Sequence, residues 1–148
     1  MIPNVRRATE SDIPALCSLE NECFSSPWSD NAFLDSIKNG TAEFYICLSA
    51  EGEAMGYVGI ICMLDECSVT NVCTSAQYRK KGVATALLDM AESRAAELGA
   101  ICMFLEVRVS NAAAIALYQN RGYECCGTRR GFYSKPKEDA LVYKKDLI

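Results

Sequence analysis

Two residues in the stretch LEVRVSNAAAIALY, Leu105 to Tyr118, have the chemistry of a proton-transfer pair. Glu106 ends an apolar, strand-like run, and Tyr118 lies in the alanine-rich segment that follows Asn111. A glutamate titrates near ~4.3 and a phenol near ~10, so one takes a proton where the other can give one. Spacing lets them meet. If a helix starts at Asn111 and turns back along the strand, seven residues at ~1.5 Å each return Tyr118 by about 10 Å, level with Glu106. A helix packs about 10 Å from its neighbour, which leaves a substrate-sized gap between the two side chains. The plain alternatives are a strand-end carboxylate, solvated or paired with Arg108, and a core tyrosine on the helix face of Ile115.

A second candidate is TSAQYRKKGVATALL, Thr74 to Leu88. Three cations, Arg79, Lys80 and Lys81, precede Gly82 where a helix begins. Unpaired N–H groups and the helix dipole make such an end an anion site, and a glycine lets the backbone approach a ligand closely. A pyrophosphate suits it. The loop is neither a P-loop nor a dinucleotide fingerprint, and a solvated basic loop before an ordinary helix is the plain alternative.

Other chemistry is narrowed by what the chain lacks. It has no histidine, which removes Ser-His-Asp and Cys-His catalysis; acid–base work falls to Glu, Asp, Tyr, Lys, Cys or water. Its nine cysteines contain no C-x-x-C, so no metal site is expected. Cys47, Cys62, Cys73 and Cys102 sit in apolar runs and read as small buried hydrophobes in a reducing compartment. Nine free thiols are expected.

These residues need elements to hold them. Residues 3–8 read as a strand. TESD, Thr9 to Asp12, is a capping box ahead of an apolar pattern through Ile13, Leu16, Leu19 and Cys23, giving a helix over 12–23. Ser29 caps a second helix, with Trp28 and Phe33 as a hydrophobic staple and Gly40 as its end. Strands follow at 42–49, 54–63 and 67–73, the first pair turning at Glu51-Gly52. A third helix covers 83–98, with Ala84, Leu87, Leu88, Ala91, Ala95 and Leu98 as its buried stripe, and Gly99 closes it. Then come a strand at 101–107, a helix at 111–121 stopping at Gly122, and strands near 123–129 and 139–145. The order β-α-α-β-β-β-α-β-α-β-β predicts an α+β, or mixed α/β, single domain over 1–148.

A chain of 148 residues, half of them hydrophobic, is large enough for one real core. The apolar runs are strand-sized, none long enough to span a bilayer, and IPNVRRATESD lacks the apolar core of a signal peptide. The chain reads as cytosolic. A net charge of −4 and a pI near 4.9 argue against a broad nucleic-acid footprint and are compatible with an amine substrate.

The motifs together resemble the GNAT superfamily of N-acetyltransferases. RKKGVA, Arg79 to Ala84, fits that family's Q/R-x-x-G-x-G/A loop, and the element order fits its fold, a central, mostly antiparallel sheet flanked by about four helices. More narrowly the chain is similar to the RimI-type bacterial enzymes that acetylate the N-terminal alanine of a small-subunit ribosomal protein. The matching pieces are PWS at 27–29, DE at 65–66, TNV at 70–72, LEVRVSNAAAIALY, RGY at 121–123, and GFY and EDA near the end. The resemblance implies acetyl-CoA as co-substrate and no metal. It implies that Arg79, Lys80, Lys81, Gly82, Val83, Ala84 and Thr85 hold the pyrophosphate, that pantetheine pairs along Val72, Cys73 and Thr74, and that Asn111 contacts CoA. It makes Glu106 the general base and Tyr118 the general acid of a direct transfer, with backbone N–H groups of the strand at 67–73 stabilising the oxyanion. Two departures stand out: Cys73 and Thr74 replace the usual Ala and Val, and Ala84 replaces the commoner second glycine. The partner implied is a protein N-terminus entering between Trp28 and Tyr133 with a small first side chain. Two other functions fit the same fold: acetylation of another amine, lysine or small molecule, and a non-catalytic CoA-binding sensor.

Overall fold

A computed structural model describes residues 4–148; Pro3, the first residue of the expected 3–8 strand, lies outside them. Seven strands form one sheet: β1 (Asn4–Arg7), β2 (Glu43–Leu48), β3 (Ala54–Met63), β4 (Glu66–Thr74), β5 (Cys102–Arg108), β6 (Glu124–Tyr133) and β7 (Glu138–Asp146). Four helices accompany them: α1 (Ile13–Cys23), α2 (Asp30–Asn39), α3 (Val83–Glu97) and α4 (Ala112–Asn120). The spatial order is β1-β2-β3-β4-β5-β7-β6, antiparallel except at β4–β5. This is the mixed α/β order read from the sequence.

Local signals account for the helix ends. The Asp12 carboxylate accepts from the Thr9 N–H at 2.8 Å, as a capping box requires, although a short 3₁₀ turn over Glu10–Asp12 precedes α1. Ser29 Oγ accepts from the Ala32 N–H at 3.1 Å, and the Trp28 and Phe33 rings lie 5.3 Å apart. Asn111 Oδ1 accepts from the Ala114 N–H at 3.2 Å at the start of α4.

Alternation along β2 splits the core between the two sheet faces. Tyr45 and Cys47 pack toward α3 with Leu87, Leu88, Ala91 and Ala95; Phe44 and Ile46 pack toward α1 and α2 with Leu16, Leu19 and Phe33. The stripe of α3 differs at its ends from the sequence reading. Val83 is buried in place of Ala84, which faces a cavity, and Leu98 is 41% exposed because it stands past the last helical turn.

One expectation about the cysteines is overturned. Cys62 and Cys67 face each other across the β3–β4 hairpin and are joined as a disulfide, so seven thiols are free rather than nine. Five residues of separation do not announce this pair; only the hairpin register brings the two Cα atoms to 4.0 Å.

The feature that makes room for chemistry is a splay. β4 pairs with β5 only over Glu66–Ser68 against Cys102–Phe104, and the two strands then part. A β-bulge sits at the point of parting, where Gly59 opposes Asn71, Ile60 opposes Val69, and Thr70 is left over. Gly59 makes the bulge possible, because a Cβ there would collide with the Thr70 hydroxyl.

Candidate active site

Two cavities open into the splay. The first, about 590 Å³, is lined by Val72, Cys73 and Thr74 of β4, by Tyr78, Arg79 and Lys80, by Gly82, Val83, Ala84 and Thr85 at the start of α3, and by Asn111 and Tyr118. Lys80 and Gly82 both have left-handed backbone, φ 63° and 80°, and the loop they bend leads into the first residues of α3, which line the cavity. At Gly82 an L side chain would be strained whatever the space. Free N–H groups, the helix dipole and two cations therefore meet in one place. Lys81, expected in this group, is not among the lining residues; its ammonium lies 5.7 Å from the centre of the Tyr78 ring.

The second cavity, about 460 Å³, lies between the two arms of the splay. Val69, Thr70, Asn71 and Val72 form one side and Leu105, Glu106, Val107 and Arg108 the other; Phe24, Ser25, Ser26 and Trp28 close it above, and Phe132, Tyr133 and Ser134 opposite. Trp28 and Tyr133 thus flank one groove. Trp28 also serves as the α2 staple, with its ring edge-on to Phe44 at 5.7 Å.

The cavities share a wall made of Cys23, Phe24, Val72, Asn111 and Tyr118. Glu106 stands in the second cavity, 29% exposed, and Tyr118 stands at the junction. Glu106 does not pair with Arg108; its Oε1 is 3.2 Å from Nε of Arg129, a 59% exposed side chain on β6. Burial raises the Tyr118 pKa above its ordinary value, with a further push from nearby Tyr133, so the phenol keeps its proton through the neutral range. Burial, then the Glu106 charge, pushes Tyr133 up to about 12.

Three groups shape the site in roles that were not read from the sequence. Glu20 is fully buried. Its Oε1 accepts from Tyr57 Oη and, at 2.6 Å, from Asn71 Nδ2, while its Oε2 accepts from the Trp28 N–H at 2.8 Å. This carboxylate ties α1 to β3, to β4 beside the bulge, and to the Trp28 wall. Its signal was its position on the apolar face of α1, four residues after Leu16. Arg108 is the second. Its guanidinium donates to Glu138 Oε1 at 3.0 Å, Pro136 O at 2.9 Å and Ser134 O at 3.2 Å, and lies 4.5 Å from the Tyr133 ring centre. It fastens the β6–β7 turn to β5. Arg129 is the third, and only the β6–β7–β5 pairing brings it to Glu106.

No group of three or more His, Cys, Asp or Glu side chains able to hold a metal occurs among the described residues. The arrangement offers an anion cradle, a strand with a free edge, a carboxylate able to accept a proton and a protonated phenol, all around one junction.

Comparison with known proteins gives this arrangement a family. Residues 13–123 match the family described as Acetyltransferase (GNAT) family. The chain is 31% identical over 134 residues to the ribosomal protein bS18-alanine N-acetyltransferase of Escherichia coli K12, covering 89% of each chain. It is equally 31% identical over 138 residues to a Bacillus subtilis protein provisionally named for the same activity, covering 93% of this chain and 91% of that one. The crystal structure of the ribosomal-protein-S18-alanine N-acetyltransferase from Escherichia coli superposes with a TM-score of 0.88 at 26% identity, over 99% of this chain and 94% of that one.

Proposed function

This chain belongs to the GNAT acetyltransferase family, and from that premise we propose that it acetylates the N-terminal α-amine of alanine on the small-subunit ribosomal protein bS18. It is an acetyl-CoA-dependent N-acetyltransferase. The observation that carries the proposal is the shared wall: Tyr118 lines both cavities while Glu106 lines only the groove.

The first cavity fits acetyl-CoA. Arg79, Lys80 and the amides entering α3 suit its pyrophosphate, and the edge of Val72–Thr74, unpaired with β5, suits its extended pantetheine. Asn111 lines the same cavity. Bound there, acetyl-CoA supplies an activated acetyl group as a thioester. Glu106, directly or through one water, takes the proton of the incoming ammonium. The amide edge of β4 faces the site where negative charge develops on the carbonyl oxygen. Tyr118 holds its proton on Oη, at the junction, for the departing sulfur. No group of the chain needs to carry the acetyl.

Proton chemistry favours an α-amine over a lysine. An α-amino group has a pKa near ~7.8 and lysine near ~10.4, so making the neutral nucleophile at neutral pH is easier for the former by about 2.6 units, or about 3.5 kcal/mol. A single carboxylate already paired with Arg129 suits the easier task. Phe24, Trp28 and Phe132 line the groove, and their bulk suits a small first side chain, alanine or serine.

The proposal takes residues 1–148 as one domain acting in the cytoplasm, where ribosomal proteins are made. Among the described residues no helix is long and apolar enough to cross a membrane. Mass spectrometry of the small-subunit proteins from cells with and without the gene tests it. One acetyl group at the bS18 N-terminus should be present with the gene and absent without it; an unchanged bS18 refutes the acceptor.

A further inference from the structure

Cys23 is a nucleophile that acetyl transfer leaves unused, and it stands where the two cavities meet. It is the last residue of α1 and lines both cavities. Cys73, on β4, lies beside it, 6% exposed and also in the first cavity. Cys23 Sγ lies 3.6 Å from the carbonyl of Thr74, on the strand segment assigned to pantetheine. The other free thiols are differently placed: Cys17 lines neither cavity and donates to Asp30 Oδ1 at 3.0 Å, Cys47 and Cys102 are buried away from both cavities, and Cys125 and Cys126 are exposed on β6.

We propose that Cys23 is a covalent modification site at which the enzyme forms a mixed disulfide with CoA, using CoA disulfide as the oxidised reactant. The inference rests on the first cavity being the acetyl-CoA site. One half of CoA disulfide occupies that cavity as acetyl-CoA does, which brings its sulfur to the junction. The other half leaves through the peptide groove. Among the described residues, Cys23 is the one thiol onto which both cavities open.

The exchange balances without any further redox partner. The Cys23 thiol loses its proton to solvent and the thiolate attacks the sulfur held in the first cavity. The Cys23–CoA disulfide bond forms as the CoA–CoA disulfide bond breaks, and the second CoA leaves as a thiolate that is protonated by water. The surroundings assist the first step. The neighbouring Cys73 thiol holds the Cys23 pKa below its ordinary value, with a smaller contribution from Arg79, against burial and the charges of Glu22 and Glu20. Burial and Cys23 itself push Cys73 the other way, so Cys73 stays protonated. The adduct fills the junction and stops acetyl transfer until a thiol removes it.

The test is intact-mass and peptide mapping of the wild-type protein after exposure to CoA disulfide, with acetyl-CoA affinity of the untreated protein measured by calorimetry. The expected result is one CoA per chain, on Cys23, formed more than tenfold faster than on Cys125 or Cys126. It should be slowed more than tenfold by excess acetyl-CoA, removed by dithiothreitol, and absent in Cys23→Ser. Labelling confined to Cys125 and Cys126, or labelling of Cys23 that acetyl-CoA does not slow, overturns the inference. If acetyl-CoA binds the untreated protein and Cys23 stays unlabelled, this inference alone falls. If acetyl-CoA does not bind at all, the reading of the cavity falls with it.

Discussion

At the scale of single residues, the account assigns different jobs to Glu106, Tyr118 and Glu20, and three substitutions separate them. Glu106→Gln should lower kcat by about 10²–10⁴-fold with little change in acetyl-CoA affinity, because a general base acts in turnover and Glu106 does not line the first cavity. Tyr118→Phe should also lower kcat, since only the hydroxyl is lost from a buried ring. The raised pKa of Tyr118 fixes the sign of its pH effect: the phenol is protonated below its folded pKa, so loss of rate from its ionisation comes only above about pH 10, the ordinary phenol value. A kcat profile falling between pH 8 and 9 and abolished in Tyr118→Phe would contradict that. Glu20→Ala should lower stability by about 3 kcal/mol in urea titrations, because it leaves the Tyr57 hydroxyl and the Asn71 amide without their buried acceptor. That Glu106 and Tyr118 would face one cavity was legible in the sequence, because they lie close together on consecutive elements. Glu20 was not, since its partners are 37 and 51 residues away and its own surroundings read as an apolar helix face.

At the scale of elements, loops and hairpins complete what strands and helices begin. The turn into α3 depends on Gly82; Gly82→Glu adds a negative charge and a strained side chain where phosphate should sit, and calorimetry should show acetyl-CoA binding weakened by more than tenfold. Arg108 fastens the β6–β7 turn over the groove, so Arg108→Ala should raise the peptide KM about tenfold, ~1.4 kcal/mol, with acetyl-CoA affinity unchanged. Steady-state kinetics with each substrate varied in turn reads that split. The β3–β4 hairpin should hold its disulfide in the oxidised protein: thiol titration after denaturation should give seven groups without reductant and nine after reduction. Helix α2 was fully legible, because its cap, staple and terminal glycine are local in sequence. The Cys62–Cys67 bridge, the Glu106–Arg129 pair and the length of β6 depend on register between strands, which spacing along the chain does not encode.

At the scale of the whole molecule, one sheet does two things by parting. Its closed side carries the core on both faces; its open side leaves the β4 edge unpaired with β5, where the proposal puts the cofactor, with the amine along β5. The order of elements showed the family in outline, while the splay itself follows from the Thr70 bulge above Gly59, a tertiary fit between strands. The central claim is that this opening serves a peptide α-amine through Glu106 and Tyr118. The direct measurement compares acetylation rates of a peptide beginning Ala-Arg with its N-terminally blocked twin carrying an internal lysine, using acetyl-CoA at neutral pH. The account predicts that the free N-terminus is acetylated and the blocked lysine peptide is slower by a large factor, consistent with the ~2.6-unit difference in amine pKa. Faster acetylation of the blocked lysine peptide would contradict it.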